Sequence, residues 1–244
     1  MARPVNINEP VLRLTENQLL DYIKCPNLFY FKYRTKIPIA EKKTMGELVR
    51  ETINFYYTKL LEGRAPNIES IKRKWDSLCE AHKENISTRQ ILEGYGLLKL
   101  FDRFCREKKL IVADFSSSYE IVFPGNILLS GNIGTIRLFD KKLELFMVDT
   151  SQKQPDGKLL DMSLKNTLRC YAAGKTFSGY ELSYINVLHL KSLKEQRTYR
   201  SPIQYARLEK AVENIGRAIR EDIYYPRENF ECARCPYKNF CGYT

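Results

Sequence analysis

Tryptophan, histidine and long apolar runs are what this sequence has least of. It holds one Trp and two His among 244 residues, and His82 and His189 fall in a charged helical stretch and an alternating stretch, where structural roles are expected. No run approaches the roughly 18 uninterrupted apolar residues that a membrane-crossing helix needs. The opening MARPVNINEP has no apolar signal-peptide core, so the expectation is an intracellular, reducing compartment. Neither the glycine-rich phosphate loop ending in Gly-Lys-Ser/Thr nor the Gly-x-Ser-x-Gly nucleophile elbow occurs. Seven cysteines, an odd number, argue against a disulfide framework.

What is present is a core and a charge excess. Hydrophobic residues make up 43% and aromatics 12%, enough to exclude wholesale disorder. Forty Lys and Arg against 29 acids leave a net charge of +11, which suggests a polyanionic partner, DNA first among them. The local groups Lys72-Arg73-Lys74 and Lys108-Lys109 read as solvated faces. Phe29, Tyr30, Phe31 and Tyr33 could stack on bases, yet their spacing fits a packed helix face better. Three cysteines crowd the C-terminal end as Cys232-x2-Cys235-x5-Cys241, a spacing that lets one short loop offer three thiolates to one metal centre. Cys79, Cys105 and Cys170 lie in helical apolar contexts and read as core residues.

Residues 1–14 read as an arm. Capping boxes at Thr15-Glu16-Asn17-Gln18 and Ser87-Thr88-Arg89-Gln90 start helices, and Pro26 divides the first helical run in two. Further helices are predicted over about 44–61, 68–110 and 159–174, with the last one opening at Ser201-Pro202-Ile203-Gln204. Alternation predicts strands at 119–123, 127–139, 143–148 and 182–190, with turns at Pro124-Gly125-Asn126 and Asp140-Lys141-Lys142. The expected architecture is a single α/β domain over 1–244 with a helical insertion at 62–112.

The stretch Leu14-Thr15-Glu16-Asn17-Gln18-Leu19-Leu20-Asp21-Tyr22-Ile23-Lys24-Cys25-Pro26-Asn27-Leu28-Phe29-Tyr30-Phe31-Lys32-Tyr33 resembles the opening helix of iron–sulfur PD-(D/E)XK nucleases. Among these are the RecB and AddB nuclease domains, the RecB-like nuclease of CRISPR adaptation and the eukaryotic iron–sulfur exonucleases. The resemblance implies a restriction-endonuclease-like α/β core. It also implies that Cys25, followed by Pro26, joins Cys232, Cys235 and Cys241 in ligating one 4Fe-4S cluster, with 15–33 and 226–244 forming the iron–sulfur region. Four thiolates also suit tetrahedral zinc, which stands as the alternative cofactor.

The same resemblance implies where catalytic residues should lie, and most are missing. The family's helix motif Gly-x-x-x-His reads Gly46-Glu47-Leu48-Val49-Arg50, so Arg50 stands at the histidine position. The strand motif Gly-x-x-Asp reads Gly131-Asn132-Ile133-Gly134. The next strand's Asp/Glu-x-Lys reads Asp149-Thr150-Ser151, and the Gln-x-x-x-Tyr helix reads Thr167-Leu168-Arg169-Cys170-Tyr171. Divalent metals demand hard oxygen ligands, which Gly134, Arg50 and Ser151 do not supply as a set. Glu51 lies about 100° from Arg50 around a helix; Lys153 shares parity with Asp149 if the strand continues. The expectation is a catalytically inactive, nuclease-like subunit of a nucleic-acid-processing complex that binds DNA without a catalytic metal. The alternatives are an active metal-dependent nuclease with relocated residues and a pure protein-interaction subunit.

Overall fold

The computed structural model describes residues 10–39, 42–64, 66–139 and 141–242. Strand β1 (Leu12–Thr15) leads into α1 (Glu16–Lys24), where Thr15 Oγ1 accepts from Gln18 N and Gln18 Oε1 accepts from Thr15 N. Cys25 is extended, and Pro26 occupies the first position of α2 (Pro26–Phe29). Helix α3 (Met45–Leu61) has a capping box of its own, Thr44 with Glu47. Asn67 caps α4 (Ile68–Ala81), and Ser87 with Gln90 caps α5 (Thr88–Glu107). Strands β2 (Ser118–Phe123), β3 (Ile127–Asn132), β4 (Thr135–Phe139) and β5 (Lys142–Asp149) follow. Helices α6 (Gly157–Met162) and α7 (Leu164–Thr176), strands β6 (Glu181–His189) and β7 (Lys194–Thr198), and helices α8 (Pro202–Arg220) and α9 (Lys238–Cys241) complete the order.

Several elements differ from the sequence reading. Of the expected arm, residues 1–9 lie outside the described residues, while Leu12–Thr15 pair as a strand. The continuous strand expected over 127–139 is two strands in different sheets. It breaks at Ile133-Gly134 because Gly134 has φ +100, a left-handed value that no strand adopts. The helix expected over 159–174 is two helices, separated where Ser163 leaves helical geometry to cap α7. Of the turn at 140–142, Asp140 lies outside the described residues and Lys142 already belongs to β5.

The chain divides into two compact units. The first gathers Met1–Ala40, Ser118–Asn132 and Ser201–Thr244 around a three-stranded sheet of order β1-β3-β2, with β1 parallel to β3. Helix α8 lies so close to this sheet that a Cβ on Gly216 would come within 2.2 Å of Ile127 Cδ1. Arg220 donates to the carbonyls of Gly125 and Asn126. The chain ends are joined directly: Tyr22 Oη donates to Ile223 O at 2.7 Å, Asn27 N to Tyr225 O at 3.2 Å, and Arg227 Nη1 to Ile23 O at 2.7 Å. Phe29 is buried against Tyr22 and Tyr224, and Phe31 stacks on Tyr237. Of the aromatic run, Phe29 and Phe31 are therefore packing residues, while Tyr30 is exposed.

The second unit, Glu41–Ser117 with Ile133–Arg200, holds the sheet β4-β5-β6-β7, in which the central pair β5 and β6 is parallel. Alternation along these strands sends Phe146, Leu188 and Leu190 into a core with α3, α4 and α5, while α7 packs on β6. A polar row crosses the sheet: Arg137 pairs with the buried Glu144 at 2.8 Å, and Asn186 Nδ2 donates to Glu144 and to Glu195. A buried carboxylate is tolerated because it is paired and hydrogen-bonded.

Gly94 and Gly96 on α5 make a paired test. A Cβ at 94 would lie 2.4 Å from the ring of Trp75, which is 1% exposed, whereas one at 96 meets nothing within 4 Å. Overpacking costs about 1–3 kcal/mol, against a helix-propensity gain of about 1 kcal/mol. Gly94→Ala should therefore lower the urea midpoint, and Gly96→Ala should hold or raise it. Equal midpoints would show that Trp75 shifts without cost.

A strand-end site and a cysteine-lined cavity

In the second unit the parallel strands β5 and β6 end together, with Asp149 opposite His189 and Leu190 N donating to Asp149 O. Ligand sites of open α/β sheets form at such carboxyl ends. Antiparallel β4 begins beside this end, since Thr135 pairs with Phe146. Gly134 and Asp149 therefore lie at the same end of neighbouring strands. Helix α3 starts here as well: a Cβ on Gly46 would be 2.8 Å from Thr150 Oγ1. Arg50, one turn on along α3 and exposed, projects from the same side of the helix as Gly46.

The polar groups at this strand end are Asp149, Ser151 and His189, with Arg169 beside Gly134. At 134 there is no side chain, and a Cβ placed there would lie 3.7 Å from Arg169 Nη1 on α7. The Asp149 carboxylate turns back on its own loop. Ser151 N donates to Oδ1 at 3.3 Å, and Ser151 Oγ lies 2.6 Å from Oδ2. His189, buried, has Nε2 3.0 Å from Ser151 O and 4.0 Å from Asp149 Oδ2, and Nδ1 2.8 Å from Ser192 Oγ. Asp149 thus caps a turn, and His189 braces that turn.

The remaining predicted residues separate. Strand β5 ends at Asp149, so Lys153 lies beyond it in an exposed bend and does not share the strand's parity. Glu51 pairs with Lys43 at 2.7 Å and with Lys74 at 3.9 Å. Thr167 is buried; its hydroxyl donates to Ser163 O and accepts from Arg200 Nε at 2.8 Å. Tyr171 stays on α7 with the Lys175 ammonium 5.5 Å from its ring centre. His82 ends α4. Sequence reasoning missed Arg169, His189 as a neighbour of Asp149, and the group formed by Lys191, Glu93 and Gln152 beside the same loop.

In the first unit, Cys25, Cys232, Cys235 and Cys241 all line one cavity of about 570 Å³, with Phe31 and Tyr237 among its walls. Asn27 Nδ2 donates to Cys241 Sγ at 3.7 Å, and Asn229 N to Cys232 Sγ at 3.4 Å. Asn229 Nδ2 also holds Lys24 O, and Lys24 pairs with Glu231, so the loop is tied to the end of α1. Burial raises the Cys235 thiol above its usual range, and the other three cysteines push it the same way. Two of the four sulfurs accept N–H donors, and four thiolates brought together repel one another, a donor set suited to a cation. Among the described residues no three such side chains are gathered closely enough to hold a single metal ion.

The chain matches the model of the PD-(D/E)XK nuclease superfamily over residues 13–242, and it belongs to that superfamily. Among solved structures, one described as the crystal structure of SSO0001 aligns with 14% identity and a TM-score of 0.38, covering 93% of this chain and 95% of that one. No curated protein matches the chain. None of the helices among the described residues is long and apolar enough to cross a membrane.

Two measurements follow from these environments. Burial raises Cys79 to about 11 and Cys105 and Cys170 to about 12. At pH 8 their thiolate fraction is about a thousandth or less. They should resist a disulfide reagent in the native protein, react only as pH climbs towards 11, and become accessible in denaturant. Rapid native labelling of Cys170, mapped by mass spectrometry, would contradict that burial. Separately, Gly134→Ala should cost about 1–3 kcal/mol, because a side chain is strained at φ +100, with the loss read from a denaturant curve.

Proposed function

We propose that this protein is a nuclease-fold subunit that binds DNA without cutting it, stabilised by a 4Fe-4S cluster on Cys25, Cys232, Cys235 and Cys241. The observation that carries the loss of catalysis is Gly134: the family's principal carboxylate position has no side chain, a left-handed backbone, and the Arg169 guanidinium 3.7 Å from where a Cβ would sit. Arg50 puts a second cation on the helix that meets the same strand end. Asp149 alone, engaged with Ser151, would hold a divalent ion feebly against its hydration shell. We read α4 and α5 as the helical insertion, and the +11 charge as the footprint of the nucleic acid, bound within a larger processing complex.

For the cysteine cavity, the roominess of the space and the four thiols on its wall support the cluster. Tetrahedral zinc draws every sulfur to about 2.3 Å from one point, whereas a cluster gives each thiolate its own iron. When bound, the cluster would cross-link α1 to the C-terminal loop, and that stabilisation is folding free energy.

Anaerobically purified protein should be brown, with about four irons and matching acid-labile sulfide per chain. Stoichiometric zinc without sulfide would replace the cluster with the alternative. Cys235→Ser should leave the chain poorly soluble, whereas unchanged melting would deny the centre a structural role. For the chemistry, the expected result is salt-sensitive DNA binding with no cleavage in magnesium or manganese. Cutting that stops in Asp149→Ala would overturn the pseudo-nuclease reading.

A further inference from the structure

The strand register of the second unit runs one row of side chains out to the open edge of its sheet. Arg137 on β4 is opposite Glu144 on β5, and Glu144 is opposite Tyr184 on β6. Edge strand β7 pairs Thr198 with Ile185, so the next residue, Tyr199, ends the row beside Tyr184. The two tyrosine rings lie 5.9 Å apart and meet edge to face at 63°. Arg197, two residues before Tyr199 and so on the same face, lays its guanidinium over the Tyr184 ring, 4.7 Å from its centre. Burial raises the Tyr184 hydroxyl above its usual range, and a hydrogen bond to the Glu144 carboxylate acts the same way. Tyr184 is thus held at its hydroxyl by Glu144, on its face by Arg197 and on its flank by Tyr199.

The outer members of this group face solvent. Tyr199 is 62% exposed, and Arg197 is exposed and joins no ion pair among the described residues. Glu195, on the same face, is tied to Asn186 Nδ2 at 2.7 Å. Exposed aromatics scattered singly are ordinary. An exposed ring seated against a second ring, itself pinned by a carboxylate and a guanidinium, is a surface already ordered, so little side-chain freedom is lost when something binds there. Tyr199 offers an apolar π-face, and Arg197 a permanent charge with N–H donors at its rim. An unpaired base with its adjoining phosphate matches both. Bases inside a duplex have both faces covered by their neighbours, so a single strand is the form that such a ring can stack on. We propose that Tyr199 is a base-stacking residue for single-stranded DNA at the β7 edge, with Arg197 beside it for the backbone phosphate. The proposal rests on the DNA-binding reading above and narrows it to unpaired strands.

The test is fluorescence anisotropy of the full chain with labelled oligothymidylate and with a labelled duplex, each over a range of salt. Tyr199→Ala should weaken oligothymidylate binding by roughly five- to a hundredfold, the range of one lost stacking contact. It should leave the salt slope unchanged, because no charge is removed, and leave duplex affinity unchanged. Tyr199→Phe keeps the ring and should recover most of the lost affinity. Arg197→Met should reduce the slope of log affinity against log salt by about one. Leu92→Ala, which trims an equally exposed apolar side chain on α5, should alter neither affinity nor slope.

Folding is checked by melting temperature, and the exposure of Tyr199 makes its substitutions mild. A folded Tyr199→Ala that binds oligothymidylate as tightly as the wild type overturns the assignment and leaves the ring to a protein partner. An equal loss on single strand and duplex overturns stacking on an unpaired base. An unchanged salt slope in Arg197→Met removes the phosphate contact. No binding of either DNA by the wild-type protein at about 50 mM salt overturns the DNA reading itself, a failure distinct from that of Tyr199.

Discussion

Closure of the chain on itself is the constraint on which the first unit depends. Its three segments are far apart in sequence, and loop closure over such distances carries an entropic cost that contacts must offset. Parallel pairing of β1 with β3, the seating of Gly216 on Ile127, and the hydrogen bonds from residues 22–27 to residues 223–229 all serve that closure. The four-cysteine cavity sits where those last bonds end. A cluster there would be a cross-link between elements that weaker contacts already align, which makes its stability contribution independent of any catalysis in the second unit.

The second unit is arranged differently. Its parallel strands end beside the start of a helix, and several polar groups there are spent on local structure. Asp149 is occupied by Ser151, His189 braces the same loop, and Lys191 is held by Glu93 and Gln152. Packing, by contrast, is intact: Phe146, Leu188 and Leu190 still cover the helical side of the sheet.

How much of this was legible in the sequence follows from the range of the interactions. Three of the capping boxes, at Thr15, Ser87 and Ser201, involve residues three apart and were readable directly; the fourth, at Thr44, follows the same rule and went unread. Buried Cys79, Cys105 and Cys170 were readable from their apolar neighbours. The break at Gly134 was not, because a glycine within an alternating run looks like strand until its backbone angle is known. Strand β7, Lys-Glu-Gln-Arg-Thr, is polar because it is an edge strand with one partner. The pairing of His189 with Asp149 arises from parallel β5 and β6, and Arg169 reaches Gly134 from a helix well down the chain, so neither has a local signature.

The division of cysteines between distant segments also has a consequence for the order of synthesis. Cys25 is made long before Cys232, Cys235 and Cys241, and every residue of the second unit is translated between them. While the ribosome is still extending the chain, Cys25 lacks the three cysteines that share its cavity in the finished fold, and β3 lacks the helix that will seat on it. The second unit has all its strands by residue 200 and can consolidate first. The first unit, whose last segment begins at Ser201, is therefore the later of the two to be completed.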